Sequence, residues 1–143
     1  MIRIEREAWR VMVDHALACF PKECCGIMIG AVDGDTRTAS QAVPCANVYE
    51  GDQKDRFQLD PNDQVAAERK ARQLGLNVLG FFHSHPNEDA YFSATDLKNS
   101  WPWYSNVVVS IRDGRFSGAK SFIASEDQAS AAPEELHYYD SES

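Results

Sequence analysis

Two histidines, His83 and His85, stand two residues apart at the end of an apolar run, Val78 to Phe82. Side chains two apart on a strand share a face at a spacing of roughly 6–7 Å, so both imidazoles can turn to one metal ion at about 2.0–2.1 Å. Ser84 falls on the other face, and Pro86 is expected to stop the strand and leave the pair at its exposed end. A third donor must come from elsewhere. Asp96 is the natural candidate, in the first turn of a short helix opened by Ser93. Two histidines and one carboxylate leave a fourth position for water, as a catalytic zinc requires. Water on zinc has its pKa lowered to about 7, and a carboxylate is then needed to take its proton. Glu23, between Pro21 and an apolar strand, is the base the chain offers.

Taken singly, each of these residues has an ordinary structural reading. A His-x-His pair is common at strand ends. Ser93-x-x-Asp96 has the form of a capping box, and an acid in that first turn suits the helix dipole whatever its function. Glu23 could be a solvated loop residue. The four cysteines, Cys19, Cys24, Cys25 and Cys45, read as reduced, mostly buried thiols. No Cys-x-x-Cys pair exists to suggest a thiolate zinc site, and disulfide frameworks belong to smaller secreted chains. Trp101, Trp103 and Tyr104 read first as packing residues and second as a substrate wall.

The elements that must position these groups can be read in chain order. Residues 2–4 start a strand. From Glu5 the apolar positions Trp9, Met12, Val13, Ala16, Leu17 and Phe20 recur at three and four residues, which predicts a helix ended by Pro21. Cys24 to Val32 predicts a strand, Asp33-Gly34-Asp35 a turn, and Thr36 to Val48 a second strand with Pro44 at a bend or edge. A polar loop over 49–56 precedes a short strand, Phe57 to Leu59. Asp60 caps a helix of about 14 residues, with Pro61 first and Gly75 closing. Val78 to Phe82 is a strand running into His83, followed by a loop to residue 92 and a short helix from Ser93 to Ser100. Val107 to Ile111 and Arg115 to Ala124 form a hairpin about Asp113-Gly114. The order predicts a mixed α/β layout of the α+β type, a sheet covered by helices rather than a doubly wound array.

The chain has 143 residues, enough for one domain with a substantial core, and no internal repeat divides it. Its net charge of −8 is uneven: residues 126–143 hold six of the 22 acids and none of the 14 bases. The body is close to neutral and lacks the basic stripe of a nucleic-acid binder. We therefore expect a domain over 1–125 and an acidic, solvated tail over 126–143. No apolar run could span a bilayer, and an N-terminus with acids and no apolar core predicts a cytoplasmic location.

Together, Glu23, His83-Ser84-His85-Pro86 and Ser93-x-x-Asp96 resemble the JAMM motif of the JAB1/MPN/Mov34 metalloprotease family. That motif is an upstream Glu, then His-Ser/Thr-His-Pro, six residues, and Ser-x-x-Asp. Asn87 to Phe92 supply the six, and no motif position departs from the pattern. Pro21 to Gly26 resembles the segment carrying the family's Glu; Asn47 and Arg56 to Pro61 resemble the mid-region of its compact prokaryotic members. The resemblance covers roughly residues 1–125. It implies a curved mixed sheet flanked by helices, a three-layer domain of cytidine-deaminase-like kind. It implies one zinc per chain held by His83, His85 and Asp96, with Glu23 as general base and then acid. Ser93 would help hold the developing oxyanion, which agrees with a hydroxyl at a helix N-terminus.

Family members hydrolyse amide or isopeptide bonds, often after the C-terminal Gly-Gly of a ubiquitin-like protein. The resemblance to compact members implies a ubiquitin-like or sulfur-carrier protein as substrate. An extended tail would suit a groove edged by strand backbone. Relatives without the motif serve as scaffolds; here the ligand set is intact. A structural metal domain would need four protein ligands. A nucleoside deaminase would need His-x-Glu and a later Pro-Cys-x-x-Cys, which are absent. The oligomeric state is not legible.

Overall fold

In the computed structural model, which describes residues 1–139, helices and strands follow in one order. It runs β1 (Ile2–Ile4), α1 (Arg6–Cys19), β2 (Cys25–Asp33), β3 (Thr36–Cys45), α2 (Pro61–Leu74) and β4 (Asn77–Pro86). It continues with α3 (Ala94–Lys98), β5 (Ser105–Arg112), β6 (Arg115–Ala124), β7 (Ala131–Glu134) and β8 (Leu136–His137). The start and stop signals of α2 act as their chemistry dictates. Asp60 accepts from Asn62 N at 2.9 Å, Pro61 sits in the first turn, and Gly75 takes the left-handed φ of 68° that ends the helix.

All eight strands among the described residues join one sheet in the order β7-β6-β5-β4-β2-β3-β1-β8. Pairing is mixed, with β4 and β5 parallel and β2 antiparallel to both β3 and β4. The two ends of this order, β7 and β8, are separated in the chain by Glu135 alone. The sheet must therefore curl until its edges nearly meet. Glu135 O accepts from Ile2 N at 2.9 Å, and Glu134 Oε1 accepts from Ser121 Oγ at 2.8 Å.

Alternation along β2 sorts the core onto two faces. Cys24 and Met28 join Trp9, Met12, Leu79 and Phe82 beneath α1, while Cys25, Ile27 and Ile29 join Ala67 and Ala71 of α2. The two long helices thus cover opposite faces, as expected of a curved mixed sheet flanked by helices. Phe82 is fully buried, which contributes about 2–3 kcal/mol. Its ring crosses β2 at Gly26, where an added Cβ would stand 2.1 Å from the ring, so glycine is required beside the site.

Several expectations need correction. β3 ends at Cys45, not Val48, and Phe57 to Leu59 is no strand: only the isolated bridge Asn47–Leu59 forms there. The Asn47 side chain captures the neighbouring main chain instead, as described below. β4 runs through both histidines to Pro86, because β5 pairs with it in parallel as far as Ile111. Pro44 stands beyond the β1 pairing, which covers Arg37 to Ala39, so its missing N–H costs no ladder bond on that side. The expected acidic tail is not wholly solvated. Residues 131–137 close the sheet, and Tyr138 stacks on Trp9 with ring centroids 4.2 Å apart. Its Asp140 and Glu142 lie outside the described residues. No helix among the described residues is long and apolar enough to cross a membrane.

Candidate metal centre and active site

The register of β2 against β4 places Cys25 opposite His83. The ladder continues one step further. Cys24 N donates to Ser84 Oγ at 2.8 Å, and Ser84 N donates to Cys24 O at 3.2 Å. One more antiparallel step carries Glu23 to the level of His85. The motif's middle serine thereby aligns the strand end that bears Glu23 with the strand end that bears the histidines.

His83 and His85 converge as their spacing predicts, with Nε2 atoms 3.2 Å apart. Asp96 Oδ2 lies 3.2 Å from His83 Nε2 and 3.3 Å from His85 Nε2. The short helix α3 delivers it. Asp96 N donates to Ser93 Oγ at 2.9 Å, and Ser93 N donates to Asp96 Oδ2 at 3.0 Å. The same carboxylate oxygen thus closes the capping box and faces both histidines. Glu23, His83 and His85 each offer a donor atom within 4.8 Å of the others, and all three are buried. Two carboxylates therefore reach the histidine pair, Asp96 closely and Glu23 at longer range.

Donors about 2.0–2.1 Å from a zinc ion in a tetrahedron stand about 3.3–3.4 Å apart, which the His83, His85 and Asp96 triangle matches. The nitrogen and oxygen donor set suits zinc as well. A second observation fits a cation. Glu23 is 4% exposed, and its Oε1 has no hydrogen-bond partner among the described residues. A buried, unpaired carboxyl oxygen is costly unless something else supplies its partner.

The surroundings orient these groups. His85 Nδ1 lies 3.0 Å from Asp89 O, which makes Nδ1 the donor and leaves the Nε2 lone pair for a metal. The loop carrying Asp89 is pinned to the β5–β6 hairpin. Ser110 Oγ donates to Glu88 O, and Arg112 pairs with Asp89, each at 2.5 Å. Phe57 stacks on His83 with centroids 4.6 Å apart, and Tyr91 meets His85 edge-on at 4.8 Å.

Electrostatics separate the two carboxylates. Burial, then the charges of Asp96, Asp55 and Glu88, push Glu23 up to about 9. Burial would also raise Asp96, but the neighbouring His83 charge and bonds from His83, His85 and Ser93 N hold it well below the usual carboxylate range. Burial opposes protonation of His85, yet its bonds to Asp96 and Asp89 O carry its pKa upward. Without a metal ion the two carboxyls are thus driven apart, Glu23 toward its protonated form and Asp96 toward its ionised form, the pattern that separates acid–base roles.

A cleft of about 420 Å³ opens beside His83 and Asp96. Tyr49, Arg56, Phe57, Phe92 and Trp101 are among its walls. Tyr104 packs edge-on against Phe81, whereas Trp103 is half exposed, with Arg37 4.0 Å from its ring centroid. Trp101 departs from the packing reading, being 63% exposed on the cleft rim. Sequence reasoning also missed Phe57 and Asp89 as neighbours of the histidines. Asp89 acts on His85 through its carbonyl, which leaves no side-chain signature.

Comparison with known proteins adds four findings. The family described as prokaryotic homologs of the JAB domain matches residues 5–122. A desampylase of Haloferax volcanii is 38% identical over 98 residues, 68% of each chain. The human Lys-63-specific deubiquitinase BRCC36 is 25% identical over 126 residues, 68% of this chain and 40% of that protein. The chain therefore spans less than half of that deubiquitinase's length. Among solved structures, a solution structure of a Desulfitobacterium hafniense protein superposes with a TM-score of 0.84 at 30% identity, over 97% of this chain and 93% of that one.

Proposed function

This chain belongs to the prokaryotic JAB branch of the JAMM/MPN family, and on that premise we propose that it is a zinc-dependent isopeptidase. Its substrate is a conjugate of a ubiquitin-like or sulfur-carrier protein, cut at the C-terminal Gly-Gly tail. The observation that carries this reading is the 3.2–3.3 Å triangle of His83, His85 and Asp96 donors beside the buried, unpaired Glu23. The names of the relatives, a desampylase and a deubiquitinase, support the substrate class.

His83, His85 and Asp96 would hold the metal, and Asp89 O fixes the His85 tautomer. A zinc ion held there would supply polarisation of the scissile carbonyl and a lowered pKa for the attacking water. A bound cation would favour the ionised form of Glu23, and in that form its Oε1, unpaired among the described residues, takes the water's proton. Burial makes its ionised form a strong acceptor, and the same preference lets it deliver the proton to the leaving amine. Ser93 Oγ already accepts from Asp96 N, so its own proton is free to donate to the developing oxyanion. Apolar walls from Phe57, Phe92 and Trp101 exclude water from an extended tail lying in the cleft.

Zinc content of the wild type and Asp96→Asn, purified without chelator, tests the metal site. About one zinc per chain in the wild type and much less in the variant is expected. A wild type that takes up no zinc when it is supplied would remove the basis of the mechanism.

A further inference from the structure

Asn47 lies outside the donor cluster, between Glu23 and the loop that walls the cleft. Its carboxamide uses both donors and accepts twice. Nδ2 donates to Glu23 O and to Arg56 O, each at 3.1 Å. Oδ1 accepts from Tyr49 N at 3.1 Å and from Gln58 N at 3.0 Å. Main-chain bonds run alongside. Glu23 N donates to Gln53 O at 2.7 Å, and Val48 N donates to Gln58 O at 2.9 Å. Gln53 Nε2 closes the loop on itself, donating to Asn47 O at 3.0 Å and Tyr49 O at 2.9 Å. Both main-chain groups of Glu23 are thus held by the segment from Asn47 to Gln58.

That segment carries cleft-wall residues as well. Tyr49, Arg56, Phe57 and Gln58 line the cleft, and the Phe57 ring lies on His83. It has no helix or strand of its own apart from the Asn47–Leu59 bridge, so the carboxamide stands in for secondary structure. We propose that Asn47 is a positioning residue that ties the cleft-wall loop to Glu23, so that a tail seated against the loop also fixes the catalytic carboxyl. The inference rests on the isopeptidase reading for its catalytic consequence, but the coupling itself is a property of the fold. The metal ligands come from β4 and α3, and the described bonds of Asn47 and Gln53 do not reach them. Base placement and tail binding should therefore change together, apart from metal affinity.

The test compares the full-length wild type with Asn47→Ala and the milder Gln53→Ala. Three quantities are measured: zinc affinity against a competing chelator, kcat and KM on a ubiquitin-like conjugate, and amide hydrogen exchange. In Asn47→Ala, kcat should fall about tenfold or more and KM should rise, the scale expected when a partly buried acceptor loses its partner and a catalytic group its placement. Zinc affinity should stay within about twofold, since the hydrogen bonds on its ligands come from Asp89 O and Ser93 N, outside the loop, and only the Phe57 stacking on His83 is loosened. The Glu23 amide should exchange faster in step with those of Tyr49 and Gln58, and Gln53→Ala should move the same quantities less. A Glu23 amide that keeps its protection while Tyr49 and Gln58 lose theirs would overturn the coupling. So would zinc affinity that falls in parallel with kcat, the mark of general loosening. A zinc-loaded wild type that cleaves no conjugate would instead defeat the isopeptidase reading, and the exchange data alone would then decide the coupling.

Discussion

Replacing Glu23 with Gln should stabilise the metal-free protein at neutral pH. Glu23 is buried with an unpaired oxygen, and its pKa is raised from 4.5 to about 9, chiefly by burial. Between those values the folded chain keeps a proton that the unfolded chain releases. Stability is therefore fully present below the unfolded value and is lost as pH rises through the folded one. At pH 7 the gap from 4.5 is about 2.5 units, and at about 1.4 kcal/mol per unit the cost is about 3 kcal/mol. Gln does not titrate and escapes this cost. Urea or thermal unfolding in excess chelator should show Glu23→Gln about 2–3 kcal/mol more stable than wild type at pH 7, with the gap closing toward pH 4.5. Added zinc should shrink the gap, because a cation beside the carboxylate favours its charged form. An equal gap at both pH values, or none at pH 7, would refute the reasoning.

Two further outcomes follow from the same geometry. Ser93→Ala should keep about one zinc per chain but lose about 10²-fold in kcat, the scale of one oxyanion donor; together with a lost cap of about 1 kcal/mol in stability, an unchanged kcat would remove Ser93 from the chemistry. Truncation after Ser130 should bare the edges of β6 and β1 and uncover Trp9, costing about 3 kcal/mol, or on the order of 10 °C in Tm, with increased aggregation. An unchanged Tm would mean that residues 131–139 do not close the sheet in solution.

Much of the site could be read from the chain because its geometry is local. The strand period puts His83 and His85 on one face, and a three-residue interval sets Ser93 and Asp96 in one capping box. The α2 boundaries were also legible, since Asp60, Pro61 and Gly75 each act within one turn. Long-range register was not. Nothing near Glu23 states that it will stand level with His85 sixty-two residues on; that follows from Cys25 pairing with His83 across two strands. The role of Asn47 was hidden for a related reason, because its partners are main-chain groups spread from Glu23 to Gln58. The closing strand was missed because Ala131-Ala132-Pro133-Glu134 has no β-branched or aromatic residue. Its acids suggested solvent, yet Glu134 accepts from Ser121 and pairs with the N-terminal amine at 3.7 Å.

The most direct test of the account is hydrolysis of an isopeptide-linked ubiquitin-like conjugate by zinc-loaded wild type and zinc-loaded Glu23→Gln. The wild type should release the amine and the free Gly-Gly terminus. The variant should hold the same amount of zinc and react about 10²–10⁴-fold more slowly, the range lost with a general acid–base residue. Equal rates in the two proteins, or a fully zinc-loaded wild type that leaves the isopeptide bond intact, would contradict it.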